Sequence, residues 1–465
     1  MAGSAMPAWY ASCAGGGSTG SKHRADRTDT RNILGHRRDL KLSVISPWQG
    51  QDAEEQVPTA VLRYTSQVTA AVADPPPPND RLARFRAIRA KLDPAGDPAD
   101  AMDAFYVDVP HSVSARLAAE LAIAPASSHL LVGGVGSGKT TELLALQRRM
   151  ATVADTAALY VDVSKQHDIA RMTPGAVIAQ VGLALAELAA SIDPRNRSIE
   201  SARDVAYGAW EYWDRDEPPP GDHYVPGILV PPEQIAASVR RARIPLEGLL
   251  QVIQRQFQHI VVMLDGLDRI GDLQAFEQLI IHDVKTLHSL GVGTVLVGPL
   301  RTLYGLERVL TQQFDSFHYQ PWIDVSANPA GRELLVGVLT KRAGEALHQP
   351  GIEGLVAASG GVLRDLLSLA QAALVEAYMD GGDHVGSHEV DDAVDAFGRK
   401  HMQGLRPAEI EVLQRVRKNG TFVQTSEDDL ALLMTRRVLE YRSRNVPRYA
   451  VHPTIEGLLR DLEDR

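Results

Sequence analysis

Eight consecutive residues, Gly133-Gly134-Val135-Gly136-Ser137-Gly138-Lys139-Thr140, restrict this 465-residue chain more than any other stretch. They fit the pattern G-x-x-x-x-G-K-[ST] in full. The apolar run His129-Leu130-Leu131-Val132 precedes them and a helical pattern, Thr140 to Met150, follows. Glycines let such a loop curl until successive backbone N–H groups point inward at phosphate oxygens, and the helix adds the positive end of its dipole. Lys139 then offers a charge to the β/γ-phosphates and Thr140 a hydroxyl to Mg²⁺, with Thr141 completing the nucleotide-binding set. Short apolar runs recur at Ala158 to Val163, Ile260 to Leu264 and Thr294 to Val297, with helical stretches between them. Runs of that kind suit strands buried on both faces, so an α/β fold is expected: a parallel sheet flanked by helices.

The run Ile260 to Leu264 ends in Asp265-Gly266-Leu267-Asp268-Arg269. A carboxylate at the C-terminal edge of a buried strand stands where open α/β sheets bind their ligands. Asp265 is therefore expected to face the Mg²⁺ held by Thr140. Asp268, three residues on, has two readings. It turns back toward the γ-phosphate and orients or deprotonates water, or it caps the N-terminus of the helix that follows.

Together these two motifs resemble those of AAA+/STAND-class P-loop ATPases, the spacing of Asp265 and Asp268 being similar to the STAND form. The run Ala358-Ser359-Gly360-Gly361-Val362-Leu363-Arg364-Asp365-Leu366-Leu367 resembles the lid helix of origin-recognition-type members. The resemblance spans roughly residues 105–465. It implies ATP and Mg²⁺ as ligands, with Lys139, Asp268 and Arg364 as the catalytic set. Arg364 would point at the γ-phosphate; the other reading is a helix-surface residue with no ligand. It also implies a polar residue after the strand Thr294 to Val297, where Arg301 stands, and an arginine finger near Arg301 or Arg308. Residues after Pro407 read as helix, short helix, two strands and a last helix, which is similar to a winged-helix domain.

The expected organisation is a disordered or linker N-terminal extension over 1–104 and a P-loop ATPase module over 105–327 with an insertion at about 193–245. A helical lid over 328–402 and a winged-helix-like domain over 403–465 follow. The extension holds a Gly/Ser stretch, a basic segment, the four prolines Pro75 to Pro78 and a basic helical pattern from Arg81 to Leu92. The insertion is marked by Trp210, Trp213 and two proline clusters, where periodicity lapses. A net charge of -10 argues against a nucleic-acid coat protein. Five arginines, Arg436, Arg437, Arg442, Arg444 and Arg448, nevertheless make the last hairpin basic, so DNA contact through 436–449 is one expectation. Pairing of those arginines with acidic residues of the ATPase or a partner is the other. One cysteine, Cys13, excludes an internal disulfide or a cysteine zinc cluster and suits a reducing cytoplasm. No run of 18 apolar residues and no leader pattern is visible, so no membrane contact is expected.

The function expected is a slow ATPase acting as a nucleotide-driven switch in nucleic-acid-related, regulatory or defence processes, with an ATP-dependent oligomer and a protein partner or effector. The alternative is a nucleotide-stabilised scaffold whose winged helix binds DNA or a protein without significant turnover.

Overall fold

A computed structural model describes residues 80–463, apart from 97, 110–111, 166–168, 170–171, 207–234, 305–311, 425 and 444–445. Five parallel strands build the sheet: β1 (Ser128–Gly133), β2 (Thr156–Asp162), β3 (His259–Asp265), β4 (Val292–Gly298) and β5 (Ser316–Gln320), in the spatial order β2-β3-β4-β1-β5. β1, which leads into the glycine-rich loop, lies between β4 and β5 and is separated from the acid-bearing β3 by β4 alone. Every residue of β1 and β4 is buried, as strands covered on both faces require. β5 was not anticipated. Its residues Ser-Phe-His-Tyr-Gln form no apolar run, and an edge strand is under less pressure to be uniformly apolar.

The helices before and within the sheet are α1 (Asp80–Lys91), α2 (Pro98–Phe105), α3 (Val113–Ile123), α4 (Lys139–Met150), α5 (Ala176–Ile192), α6 (Arg197–Ala206), α7 (Ile235–Ile253), α8 (Leu273–Leu279) and α9 (Lys285–Ser289). One sheet face carries Val262, Leu264 and Leu296 against α5 and α7; the other carries Leu131, Met263 and Val297 against α3 and α4. Two expectations change here. α1 and α2 belong to the packed fold and not to a linker: Phe85 and Ile88 of α1, and Leu92 just after it, are buried in the lid core, and Met102 of α2 packs on Leu144 and Ala145. The edges of the expected 193–245 insertion also belong to the core. Ile199 and Ala202 of α6 and Ala242 of α7 are buried beside α5. Pro245, a breaker by its chemistry, sits inside α7 without ending it. The rest of that insertion and residues 1–79 lie outside the described residues, as do Arg308 and Arg444.

Beyond the sheet, α10 (Pro329–Ala343), α11 (Gln349–Ala358), α12 (Leu363–Met379) and α13 (Ser387–Met402) form a helical layer around Leu339, Leu355, Leu366 and Leu374. The last elements are α14 (Pro407–Asn419), α15 (Glu427–Met434), the antiparallel strands β6 (Val438–Ser443) and β7 (Val446–Val451), and α16 (Pro453–Glu463). Leu413, Leu432, Val438, Ile455 and Leu459 are their core. Among the described residues no helix is long and apolar enough to cross a membrane.

Candidate nucleotide-binding site

The loop between β1 and α4 owes its shape to residues without side chains. Gly136 and Gly138 hold φ of 80° and 94°, in the region that side-chain-bearing residues avoid, and Gly138 is the N-cap of α4. Gly134 lies so close to the Trp322 ring that a Cβ would stand 2.0 Å from it. The indole in turn donates Nε1–H to the Val135 carbonyl at 3.2 Å, and the Gln320 amide donates to the Ser137 carbonyl at 3.3 Å.

Lys139 opens α4 with only 6% of its surface exposed. Its ammonium donates to the carbonyls of Gly133 at 2.9 Å and Gly134 at 3.1 Å and lies 3.0 Å from Asp268 Oδ2. All three ammonium protons therefore have acceptors within the chain. Thr140 faces the neighbouring Asp265 carboxylate, near enough to lower its pKa. Asp265 also accepts from Tyr160 Oη at 2.9 Å and from the Gly266 amide at 2.8 Å. Burial raises the Asp265 carboxyl above its ordinary value, and the nearby Thr140 hydroxyl and the bond from Tyr160 work against that shift. Lys139, Thr140, Asp265 and Asp268 are thus assembled at the C-terminal edge of β1 and β3, across β4. Asp268 is not a helix cap. It sits in the short turn Leu267–Arg269, and the cap of α8 is Asp272, which accepts from the Gln274 amide. Thr141, next on α4, is half-buried.

Arg364 reaches the same place from the helical layer. A Cβ on Gly136 would stand 2.8 Å from that of Arg364, so the first turn of α12 lies on the loop. Burial, together with the nearby Arg436 and Arg269 charges, lowers the Arg364 pKa, while Asp365 and Asp268 oppose that. Its guanidinium has no ion-pair partner among the described residues. The turn before α12 is Gly360-Gly361, with φ of 57° and 77°; a Cβ on Gly361 would strike the Ile323 carbonyl at 1.7 Å. Arg301 follows β4 in the turn Leu300–Tyr304.

Asp365, one residue past Arg364, was not singled out as a functional residue. It is buried and takes two hydrogen bonds from Arg436, at 2.7 and 3.0 Å. The other described arginines of the hairpin are also engaged within the chain. Arg437 donates to the carbonyls of His401 and Gln403, and Arg442 pairs with Glu440 at 2.6 Å and stacks on Tyr319. Arg448 donates Nε–H to Asp324 at 2.8 Å and stacks on Tyr441.

No family model and no curated protein matches the sequence. Solved structures are similar at low identity. A Drosophila ORC structure bound to DNA is 15% identical, with 83% of this chain and 94% of that chain covered and a TM-score of 0.39. Aeropyrum pernix ORC1 in complex with DNA is 18% identical, covering 80% and 96%, at 0.41. The RuvB Holliday junction branch migration motor of Thermotoga maritima is 12% identical, covering 76% and 95%, at 0.39. The strand order and the loop geometry, rather than these scores, define the fold.

Proposed function

We propose that this chain is an ATP-driven switch of the AAA+ kind, similar to origin-recognition ATPases, with slow hydrolysis. The observation that carries the reading is the meeting of Lys139 with Asp268, and of Thr140 with Asp265, at the ligand edge of a parallel sheet. The residues fit the ligands. A glycine loop held in left-handed conformations turns its amides inward, and a hydroxyl and a carboxylate stand together as hard-cation ligands. Mg²⁺, held through Thr140 and Asp265, would supply positive charge against the phosphates.

Binding asks Lys139 to trade three in-chain acceptors for phosphate oxygens. Asp268, released from the ammonium, is then free to accept a proton from water, a role worth about 100-fold or more in rate. Arg364 adds a cation from the lid, so lid closure and the γ-phosphate favour one another. Three hairpin arginines, Arg436, Arg442 and Arg448, are occupied by Asp365, Glu440 and Asp324. That pattern supports a hairpin that couples the last unit to the ATPase and lid in preference to one laid along DNA. The output is a changed contact with a protein partner or a second copy.

The test is multiple-turnover ATP hydrolysis by the full chain and by Asp268→Asn. Expected are measurable turnover in the parent, a loss of about 100-fold in the variant, and ATP affinity kept or tightened because a competitor for Lys139 is gone. Hydrolysis at the parent rate by Asp268→Asn removes the water-activating role. Tightly held nucleotide with no turnover in the parent replaces the switch with a nucleotide-stabilised scaffold.

A further inference from the structure

At the opposite end of β1 from the glycine loop, three side chains converge that the ATPase reading does not use. Glu120 comes from α3, His129 from β1 and His318 from β5. The register sets His318 beside Leu131, two residues from His129, so both rings leave the sheet on the face that α3 covers. Glu120 Oε2 stands 3.1 Å from His318 Nε2 and 3.4 Å from His129 Nδ1, and the two ring nitrogens are 3.3 Å apart. Both imidazoles are almost fully buried, at 2% and 6%, while the Glu120 side chain keeps 28% of its surface.

Proton placement decides what the triangle can be. Ser127 Oγ lies 2.6 Å from the Ala124 carbonyl and 2.7 Å from His129 Nε2. A carbonyl only accepts, so the single hydroxyl proton goes to Ala124, and His129 Nε2 must carry a proton and donate it to Ser127. His129 Nδ1 is then a bare lone pair. Arg116 Nε holds the other Glu120 oxygen, Oε1, at 2.9 Å. Glu120 Oε2 is buried, and no donor meets it with hydrogen-bond geometry among the described residues. A neutral imidazole carries one N–H and one bare nitrogen. The contact between the rings, at 3.3 Å, takes one proton, which His318 Nε2 supplies to the bare His129 Nδ1. The His129–Glu120 edge therefore sets acceptor against acceptor, an arrangement that costs free energy unless a cation sits between them.

The edge lengths specify the cation. Zinc bonds of about 2.0–2.1 Å in tetrahedral geometry put neighbouring ligand atoms about 3.3–3.4 Å apart. The three edges here are 3.1, 3.3 and 3.4 Å. We propose that Glu120 Oε2, His129 Nδ1 and His318 Nε2 form a binding site for a divalent transition metal of the zinc class. Ser127 and Arg116 are the outer partners that fix the His129 tautomer and the carboxylate orientation. The fourth ligand is a water, entering beside Glu120, the one ligand side chain of the three with substantial exposure. Such a metal ties the edge strand β5 and helix α3 to β1. It lies roughly 13 Å along β1 from Gly133, at about 3.3 Å per residue, so it is separate from the Mg²⁺ expected at Thr140 and Asp265.

The test strips the full chain with a chelator and titrates it with Co²⁺, whose visible absorption is strong when four-coordinate and weak when six-coordinate. Expected is one equivalent of strongly absorbing Co²⁺, displaced by Zn²⁺, and a rise in unfolding temperature with Zn²⁺. His318→Gln and the near-isosteric Glu120→Gln should lose both effects while keeping ATP binding, which checks the fold. His388→Ala, in the exposed group Asp380, His388 and Glu389, should leave them unchanged. A parent protein that gives no four-coordinate Co²⁺ spectrum overturns the proposal by itself. So does a spectrum that persists in Glu120→Gln and disappears in His388→Ala.

Discussion

Removing Arg436 should unfasten the last unit from the lid. Asp365 is 1% exposed and receives both prongs of the Arg436 guanidinium. Burial alone would raise its carboxyl; the bond from His452 and the Arg436 charge outweigh that and hold it below the ordinary value. Arg436→Ala leaves a buried carboxylate whose nearest remaining polar neighbour from the last unit, His452 Nε2, stands at 3.5 Å. Loss of one member of a buried pair costs about 3–5 kcal/mol. Arg436 has a φ of 61°. Alanine keeps that backbone strain and isolates the side chain, whereas glycine would relieve about 1 kcal/mol and mask part of the loss. Asp365→Asn combined with Arg436→Ala removes both charges, so the double variant should be more stable than the sum of the singles predicts, by about 1.5–3 kcal/mol. The sign with pH is fixed by the depressed carboxyl. Its contribution is present above the unfolded value of about 3.9 and is lost as pH falls through the folded value, so the gap between parent and Arg436→Ala should close below about pH 4. Hydrogen exchange over 438–443 reads the opening of this unit directly. Additivity of the singles within about 0.5 kcal/mol, or a gap unchanged at pH 3, refutes the reasoning.

Arg364→Ala should cost ATP affinity about tenfold or more, the loss of one charge-assisted contact, while ADP affinity changes little; calorimetry with both nucleotides checks it, and equal losses assign Arg364 to lid folding. His401 is lowered to about 4, by burial first and then by the nearby His452. The unfolded chain thus takes up a proton near 6.5 that the folded chain refuses until about 4, so stability should fall as pH drops across that window and His401→Gln should flatten the fall in urea titrations.

The parts of the site carried by contiguous sequence were legible. Gly133 to Thr140 and Asp265 to Asp268 each lie on one turn at a strand end, so spacing alone brings their groups to the sheet edge. Arg364 was reached through the glycine pair before it. What sequence left out depends on distant pairing. β5 is an edge strand with two aromatic rings and no apolar run, and His318 lies on it. Glu120, His129 and His318 share no motif spacing, because a strand pairing 189 positions apart brings the histidines together. Arg436 and Arg448 read as a free basic surface because their acids, Asp365 and Asp324, are remote in sequence. The expected end of the insertion, at about residue 245, instead falls inside α7, at Pro245. Prolines break helices by local rule, yet α7 continues through it because Leu246, Leu249, Leu250 and Ile253 bury against α5, and tertiary burial outweighs a local penalty of about 3 kcal/mol.

Two contacts link the glycine loop to the hairpin and would give the proposed switch a physical route. The first is apolar. Trp322 packs on Gly134, bonds the Val135 carbonyl and buries itself with Val362, Leu439 and Tyr441. Tyr441 donates its hydroxyl to the Gly360 carbonyl at 2.7 Å, and a Cβ on Gly360 would meet Leu439 at 2.5 Å. Close-packed interiors have few voids to absorb displacement. A loop that rearranges to receive phosphates therefore cannot move Gly134 without moving the indole, and the indole rests on the lid turn and on β6 together. The second contact is polar: Arg364 on the loop, Asp365 beside it, and Arg436 beyond. Both routes leave from α12 or its preceding turn and end on the same hairpin. Neither needs the hairpin to touch nucleic acid. Under the proposed function, a phosphate that draws Arg364 inward would pull on the residue next to the buried Asp365–Arg436 pair, which predicts coupling between the γ-phosphate and the seating of the last unit.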